Sequence, residues 1–141
     1  MTAPLLLALE GMGLSAALRH LASDQVDLHL RAADLAPSQA QGLAKVLAEA
    51  RQLGMQLRSF SVSYNPRMGQ GALALIQALP PTLEELGMVG CALGEGCGEA
   101  LLSWATTAPK LRMLCVEDNA FSAALRQSIR RLGKPGRMVI C

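Results

Sequence analysis

Aromatic residues are scarce in this chain: one Trp, one Tyr and two Phe among 141 residues. Because proteins that bind single-stranded nucleic acid stack bases on aromatic side chains, this composition disfavours nucleic acid as a partner. Long apolar runs are missing as well. Although 51% of the residues are hydrophobic, no stretch approaches the roughly 18 apolar residues of a membrane-spanning helix. We therefore expect one compact domain over residues 1–141, with no membrane association.

The sequence also lacks a recognisable secretion signal and a zinc motif. The apolar segment Leu5 to Leu9 has no basic region before it, is short, and is followed by Glu10. This pattern predicts a cytoplasmic chain. No C-x-x-C spacing is present and there are only two His, so we expect no metal site. We expect the four cysteines to be small buried or half-buried thiols: Cys91, Cys97, Cys115 and Cys141.

Sequence motifs for catalysis are absent too. The chain has no G-x-S-x-G, no H-E-x-x-H and no G-x-x-x-x-G-K-[ST]. The glycine-rich segment 94–98 lacks the Lys or hydroxyl of a phosphate-binding loop, so we interpret it as a turn before a helix. His29 has no nucleophile next to it in the pattern. We therefore predict a protein that is not an enzyme and has no cofactor and no small-molecule substrate.

A leucine-bearing cassette recurs along the chain. Its copies begin at Leu57, Leu83 and Leu111, at intervals of 26 and 28 residues, and each reads L-x-x-L-x-L-x-x-N/C. A repeat of this length is typical of a solenoid, in which no unit buries its apolar face alone. A degenerate earlier copy places Leu28 and Leu30 on a first strand.

The positions of the cassette have physical reasons. Phe60 and Val62 alternate with Ser61, as in a short strand with one buried face. The amide of Asn65, and of Asn119 in the last copy, can bond to buried backbone groups where the chain leaves the strand. Cys91 takes this position in the middle copy as a small residue with a weak donor.

Each strand is followed by a predicted amphipathic helix. In the first unit we expect a capping box at Ser38 and Gln41. The expected buried stripes contain small and aliphatic residues at helical spacing, ended by proline or glycine. They are Leu43, Val46, Leu47 and Ala50; Leu73, Ile76 and Leu79; Cys97, Leu101 and Ala108; and Leu125, Ile129 and Leu132.

The ends of the chain differ from the repeats. We assign residues 1–24 to an N-terminal cap, 25–136 to about four repeats and 137–141 to a terminal strand. Aligned with Leu114–Val116 at an offset of 24, the terminal strand places Val139 beside Cys115, and Cys141 beside Glu117. These offsets argue against a disulfide between the two cysteines.

The pattern resembles the ribonuclease-inhibitor subclass of leucine-rich repeats, including the spacing from Asn65 to Gly71. The resemblance covers residues 26 to 141 and departs from the family pattern at Ala33 and Cys97. It implies an α/β horseshoe segment with parallel strands on the concave side and helices on the convex side. It also implies that the concave strand face binds a protein partner, whose identity the sequence does not give.

The cassette assigns residues to that concave face, because alternate strand positions point away from the helices. Tyr64 is the best single anchor, since an exposed Tyr combines apolar area with a polar tip; it could equally cover the neighbouring turn. The predicted binding residues are Asp27, His29, Arg31, Ser61, Ser63, Tyr64, Glu85, Val89, Met113, Glu117 and Asp118.

The C-terminal part is basic. From Pro109 onward seven basic residues face two acidic ones, whereas the rest of the chain has six basic and nine acidic residues. This excess fits a solvated end or an acidic protein partner. Because the last strand leaves one edge unpaired, we also expect a homodimer or partner docking through residues 137–141. The alternative function is therefore a structural or assembly subunit that stacks or dimerises through the ends of the solenoid.

Overall fold

Strands and helices alternate along the chain in the computed structural model, which describes residues 25–52, 54 and 56–141. The predicted cap at residues 1–24 lies outside this part. The strands pair in one parallel sheet in chain order, which confirms the predicted α/β alternation and parallel sheet. The elements are β1 (Gln25–His29), α1 (Pro37–Gln52), β2 (Gln56–Ser61), α2 (Gly71–Gln77), β3 (Glu85–Gly87), α3 (Glu95–Thr106), β4 (Met113–Cys115), α4 (Ala123–Arg130) and β5 (Met138–Ile140).

The core lies between the sheet and a layer of helices, each of which packs against the next in chain order. Leu28, Phe60, Leu86 and Leu114 are register partners on successive strands, and all four are buried. Burial of these side chains removes roughly 1.5–3 kcal/mol of unfavourable hydration each. No helix in the described part of the chain is long and apolar enough to cross a bilayer.

Each of the four expected helix stripes has one residue that is only half-buried: Val46, Leu73, Cys97 and Leu132. Leu75 of α2 is buried in place of Leu73, and Gly98 of α3 is buried in place of Cys97. The cause is close helix packing. A Cβ on Gly71 would lie 2.5 Å from the carbonyl oxygen of Pro37, so α2 approaches α1 with its glycine innermost. The glycine thereby takes an inward position at the start of the helix, and Leu75 and Ile76 continue the buried side.

The start of α1 also differs from the prediction. The helix begins at Pro37, where a missing N–H costs nothing. The side chain of Gln39 accepts a hydrogen bond from the N–H of Ala36 at 2.9 Å. This is half of a capping box, placed two residues before the predicted pair Ser38 and Gln41.

The asparagines act as predicted at the strand exits. Asn65 is fully buried; its Oδ1 accepts hydrogen bonds from the N–H groups of Ala33 and Leu35, at 3.1 and 3.0 Å. Its Nδ2 donates to the carbonyls of Leu30 and Val62, at 2.9 and 2.7 Å. One amide thereby joins two successive units.

Asn119 repeats this geometry one unit before the end, with its Oδ1 3.0 Å from the N–H groups of both Cys91 and Leu93. Unlike Asn65 it is half-buried. Between them, the thiol of Cys91 donates to the carbonyl of Val62 at 3.2 Å. Burial raises the pKa of that thiol, partly offset by the N–H groups of Asn65 and Tyr64.

The register of β5 is shifted by one residue from the prediction. Leu114 pairs with Val139 and Cys115 with Ile140, which is an offset of 25 residues. Cys141 therefore lies at the level of Val116, on the core side of the sheet, and not beside Glu117. The position is set by Arg137, whose guanidinium donates to the carbonyls of Leu111 and Ala108, both at 2.9 Å. All four cysteines are free thiols.

Candidate protein-binding surface

The candidate surface is the side of the sheet that faces away from the helices, here called the strand face. Because strand residues alternate, the positions between the core leucines point to it. Ser59, Glu85 and Met113 are register partners, and so are His29, Ser61, Gly87 and Cys115 in the next row. The structure therefore brings the predicted residues together as rows that run across the strands.

A row of alternating charges lies at the amino ends of the strands. Arg58 donates two hydrogen bonds to the carboxylate of Asp27, at 3.0 and 2.6 Å, and lies 3.6 Å from Glu85. Arg112 lies 3.8 Å from Glu85 and 3.9 Å from Glu84. The hydrogen bonding of Arg58 to the Asp27 carboxylate, which accepts, is the largest cause of the raised pKa of Arg58. Two of the predicted residues, Asp27 and Glu85, are thus held in fixed positions by arginines.

Arg58 and Arg112 were not among the predicted binding residues. They occupy the second position of the cassette, where a single arginine is interpreted most simply as an ordinary solvated charge. The signal was the alternation across units. Arg58, Glu84 and Arg112 share the second cassette position, and backbone hydrogen bonds join each to the next, with Asp27 beside the first. Opposite charges in adjacent strands stabilise each other, so their sequence pattern carried information.

Small residues form the middle of the strand face. A Cβ on Gly87 would lie 3.0 Å from the hydroxyl of Ser61, so the sheet surface is shallow there. Ser63 is buried, although it was predicted to be available for contact. Its Oγ accepts a hydrogen bond from the N–H of Val89 at 3.1 Å and is 3.3 Å from Ser61 Oγ. Ser63 therefore links the segment after β2 to the segment after β3.

A histidine and a serine meet on this face, contrary to the expectation for His29. Its Nε2 lies 2.9 Å from Ser59 Oγ, which is the separation of a base and a nucleophile. Ser59, however, is only 4% exposed, so a substrate has little access to its hydroxyl. The geometry favours a hydrogen bond that joins β1 to β2 while the histidine ring remains at the surface.

An exposed aromatic residue stands at the carboxyl ends of the strands. Tyr64 is 44% exposed, and the guanidinium carbon of Arg31 lies 4.7 Å from its ring centroid, a cation–π contact. Tyr64 has a φ of 61°, and the equivalent residues Ala32, Gly90 and Asp118 share this left-handed conformation. A Cβ on Gly90 would lie 3.0 Å from the ring, so glycine lets the tyrosine lie against the next unit. Tyr64 therefore covers a turn and also remains accessible.

The strand-face residues of the last two units include both apolar and acidic side chains. Met113 is exposed, Val89 and Glu117 are half-buried, and Asp118 is exposed. Burial, followed by the nearby carboxylates of Glu117 and Glu85, raises the pKa of the Cys115 thiol, so this cysteine is not activated. Across the described residues no group of three or more His, Cys, Asp or Glu is arranged to hold a metal.

Comparison with known proteins adds no family assignment. No protein-family model matches the chain, and no curated protein sequence matches it significantly.

Proposed function

We propose that the chain is a ribonuclease-inhibitor-like leucine-rich repeat solenoid that works as a non-catalytic, cytoplasmic protein-binding module. Its partner is a protein held on the strand face, without cofactor, small-molecule substrate or nucleic acid. The proposal is supported by the recurring strand, asparagine and helix units, because each unit presents the same positions outward.

The observation that carries the proposal is Tyr64. Its backbone is fixed by the turn, one side of its ring lies against Gly90, and Arg31 covers it at 4.7 Å. An exposed tyrosine that is already ordered loses little entropy on binding, which is why such residues dominate interface energies. The ion pairs of Arg58 with Asp27 and Glu85 give the opposite rim a fixed charge pattern.

The test is capture of partner from extracts of the native source by the immobilised protein. Combining Tyr64→Ala with Glu85→Lys should abolish capture while the far-ultraviolet circular dichroism spectrum stays unchanged. Glu99→Lys, the same charge reversal at an exposed position of α3, is the matched control and should leave capture intact. Capture that survives the double substitution but is lost with Glu99→Lys would move the site to the helices.

A second function is favoured by the exposure of two large apolar side chains at the end of the sheet. Met138 is 56% and Ile140 is 42% exposed on β5, an edge strand of the described sheet. An assembly subunit that stacks or dimerises through this end would bury both residues. Sedimentation across a dilution series separates the two functions, because the assembly function requires self-association and does not require Tyr64.

A further inference from the structure

The edge of β5 offers backbone groups to another strand. The N–H of Met138 bonds to the carbonyl of Arg112 at 2.8 Å, and the carbonyl of Ile140 accepts from Val116 at 2.9 Å. Since these two residues direct their groups to β4, the N–H and C=O of Val139 between them point to the free side. The side chains of Met138 and Ile140 lie on the strand face beside this edge.

Basic side chains surround the same edge. A cleft of about 450 Å³ at the amino end of β5 is lined by Met113 and Met138 together with Arg112, Lys134 and Arg137. Glu85 also lines it, but this carboxylate is already within 3.8 Å of Arg112 and 3.6 Å of Arg58. At the carboxyl end, Arg130 donates two hydrogen bonds to the carbonyl of Cys141, at 3.0 and 2.8 Å.

From these features we propose that β5 accepts an acidic, extended peptide segment of a partner protein as an additional strand. Backbone bonds to Val139 would fix the strand, its apolar side chains would cover Met138 and Ile140, and its carboxylates would lie near Lys134 at the amino end of β5. Strand addition obtains affinity from backbone bonds and specificity from alternate side chains, which matches this edge.

Charge favours this occupant over a second copy of the chain. Two copies joined edge to edge would bring together the same cations, Lys134 and Arg137 at the cleft and Arg130 at Cys141, with Glu117 and Asp118 near Cys141 as partial compensation. An acidic segment instead brings carboxylates to this basic end of the sheet. The site does not include Tyr64, so Tyr64→Ala separates the two proposals, although Met113 and Glu85 border both surfaces.

The probe is a capped, fluorescently labelled peptide of alternating glutamate and valine, about six residues long like an ordinary strand. We expect it to raise fluorescence anisotropy on titration with the full chain, whereas the lysine–valine peptide does not. Lys134→Glu should weaken binding about tenfold, because it replaces an attraction with a repulsion. Lys45→Glu, at an exposed position of α1, and Tyr64→Ala should bind as the unaltered chain does.

Hydrogen exchange distinguishes strand addition from general charge attraction. Bound glutamate–valine peptide should slow exchange of the Val139 amide, which the free protein leaves accessible. Failure of the peptide to bind, equal binding by Lys134→Glu, or binding without protection at Val139 would each overturn the proposal. A sedimenting dimer that is broken by Ile140→Lys, in a protein that ignores the peptide, would assign the edge to a second copy instead.

Discussion

Replacing Asn65 with alanine should destabilise the protein more than the same change at Asn119, although both side chains make equivalent bonds. Asn65→Ala removes the acceptor of two backbone N–H groups. That of Leu35 is buried, and that of Ala33 is partly buried. An unsatisfied buried donor costs about 1–3 kcal/mol, so we expect a loss of about 3 kcal/mol. Asn119 is half-buried, and water can replace some of its bonds; we expect about 1–2 kcal/mol there.

Equilibrium urea unfolding measures both free energies. Far-ultraviolet circular dichroism reports the helices, and fluorescence reports Trp104, whose indole N–H lies 3.3 Å from the carbonyl of Pro80 in the preceding unit. Ser103→Ala, at an exposed position of α3, is the control and should stay within about 0.5 kcal/mol. If Asn65→Ala and Asn119→Ala cost the same, or Asn65→Ala costs less than about 1 kcal/mol, the ladder does not join the units as argued.

Three other substitutions test the packing and the end of the repeat array. Leu86→Ala should cost about 2–5 kcal/mol in urea unfolding, because it removes a buried leucine from the middle of the core. Gly71→Ala should lower the melting temperature by displacing α2, since its new methyl group would lie 2.5 Å from the Pro37 oxygen; an unchanged melting temperature would refute the close approach. The hydroxyl of Ser122 donates a hydrogen bond that lowers the pKa of Glu95. The stability that this bond contributes is therefore present above the pKa of Glu95 in the unfolded chain, and it is lost as the pH falls through the lower pKa of Glu95 in the folded protein. Ser122→Ala should raise the Glu95 pKa toward its ordinary value in a carboxyl titration followed by nuclear magnetic resonance.

Much of the fold could be read from the repeat, because its apolar positions serve one physical purpose each. Phe60 and Val62 had to face the same core, and the amide of Asn65 had to bond backbone groups at the strand exit. The inward position of Gly71 in α2 was not predictable from periodicity. It depends on how near Gly71 comes to Pro37, which is a property of two helices and not of either one alone.

The candidate surface was only partly predictable for a similar reason. The alternation of strand residues identified which side chains point outward. Ser63 is nevertheless buried, because its hydroxyl bonds to the N–H of Val89, just after the next strand. The register of β5 depended on Arg137, whose bonds to the carbonyls of Leu111 and Ala108 reach into the preceding unit. Contacts between units decide these details, and a cassette describes one unit at a time.

Site-specific photo-crosslinking tests the central claim most directly, namely that a protein partner lies on the strand face. A photoreactive phenylalanine derivative would replace Met113, an exposed residue of that face, or Lys45, an exposed residue of α1. After irradiation in extract of the native source, the account predicts a discrete protein adduct from position 113, competed away by the unmodified chain, and none from position 45. An adduct that forms at position 45 and not at position 113 would contradict it.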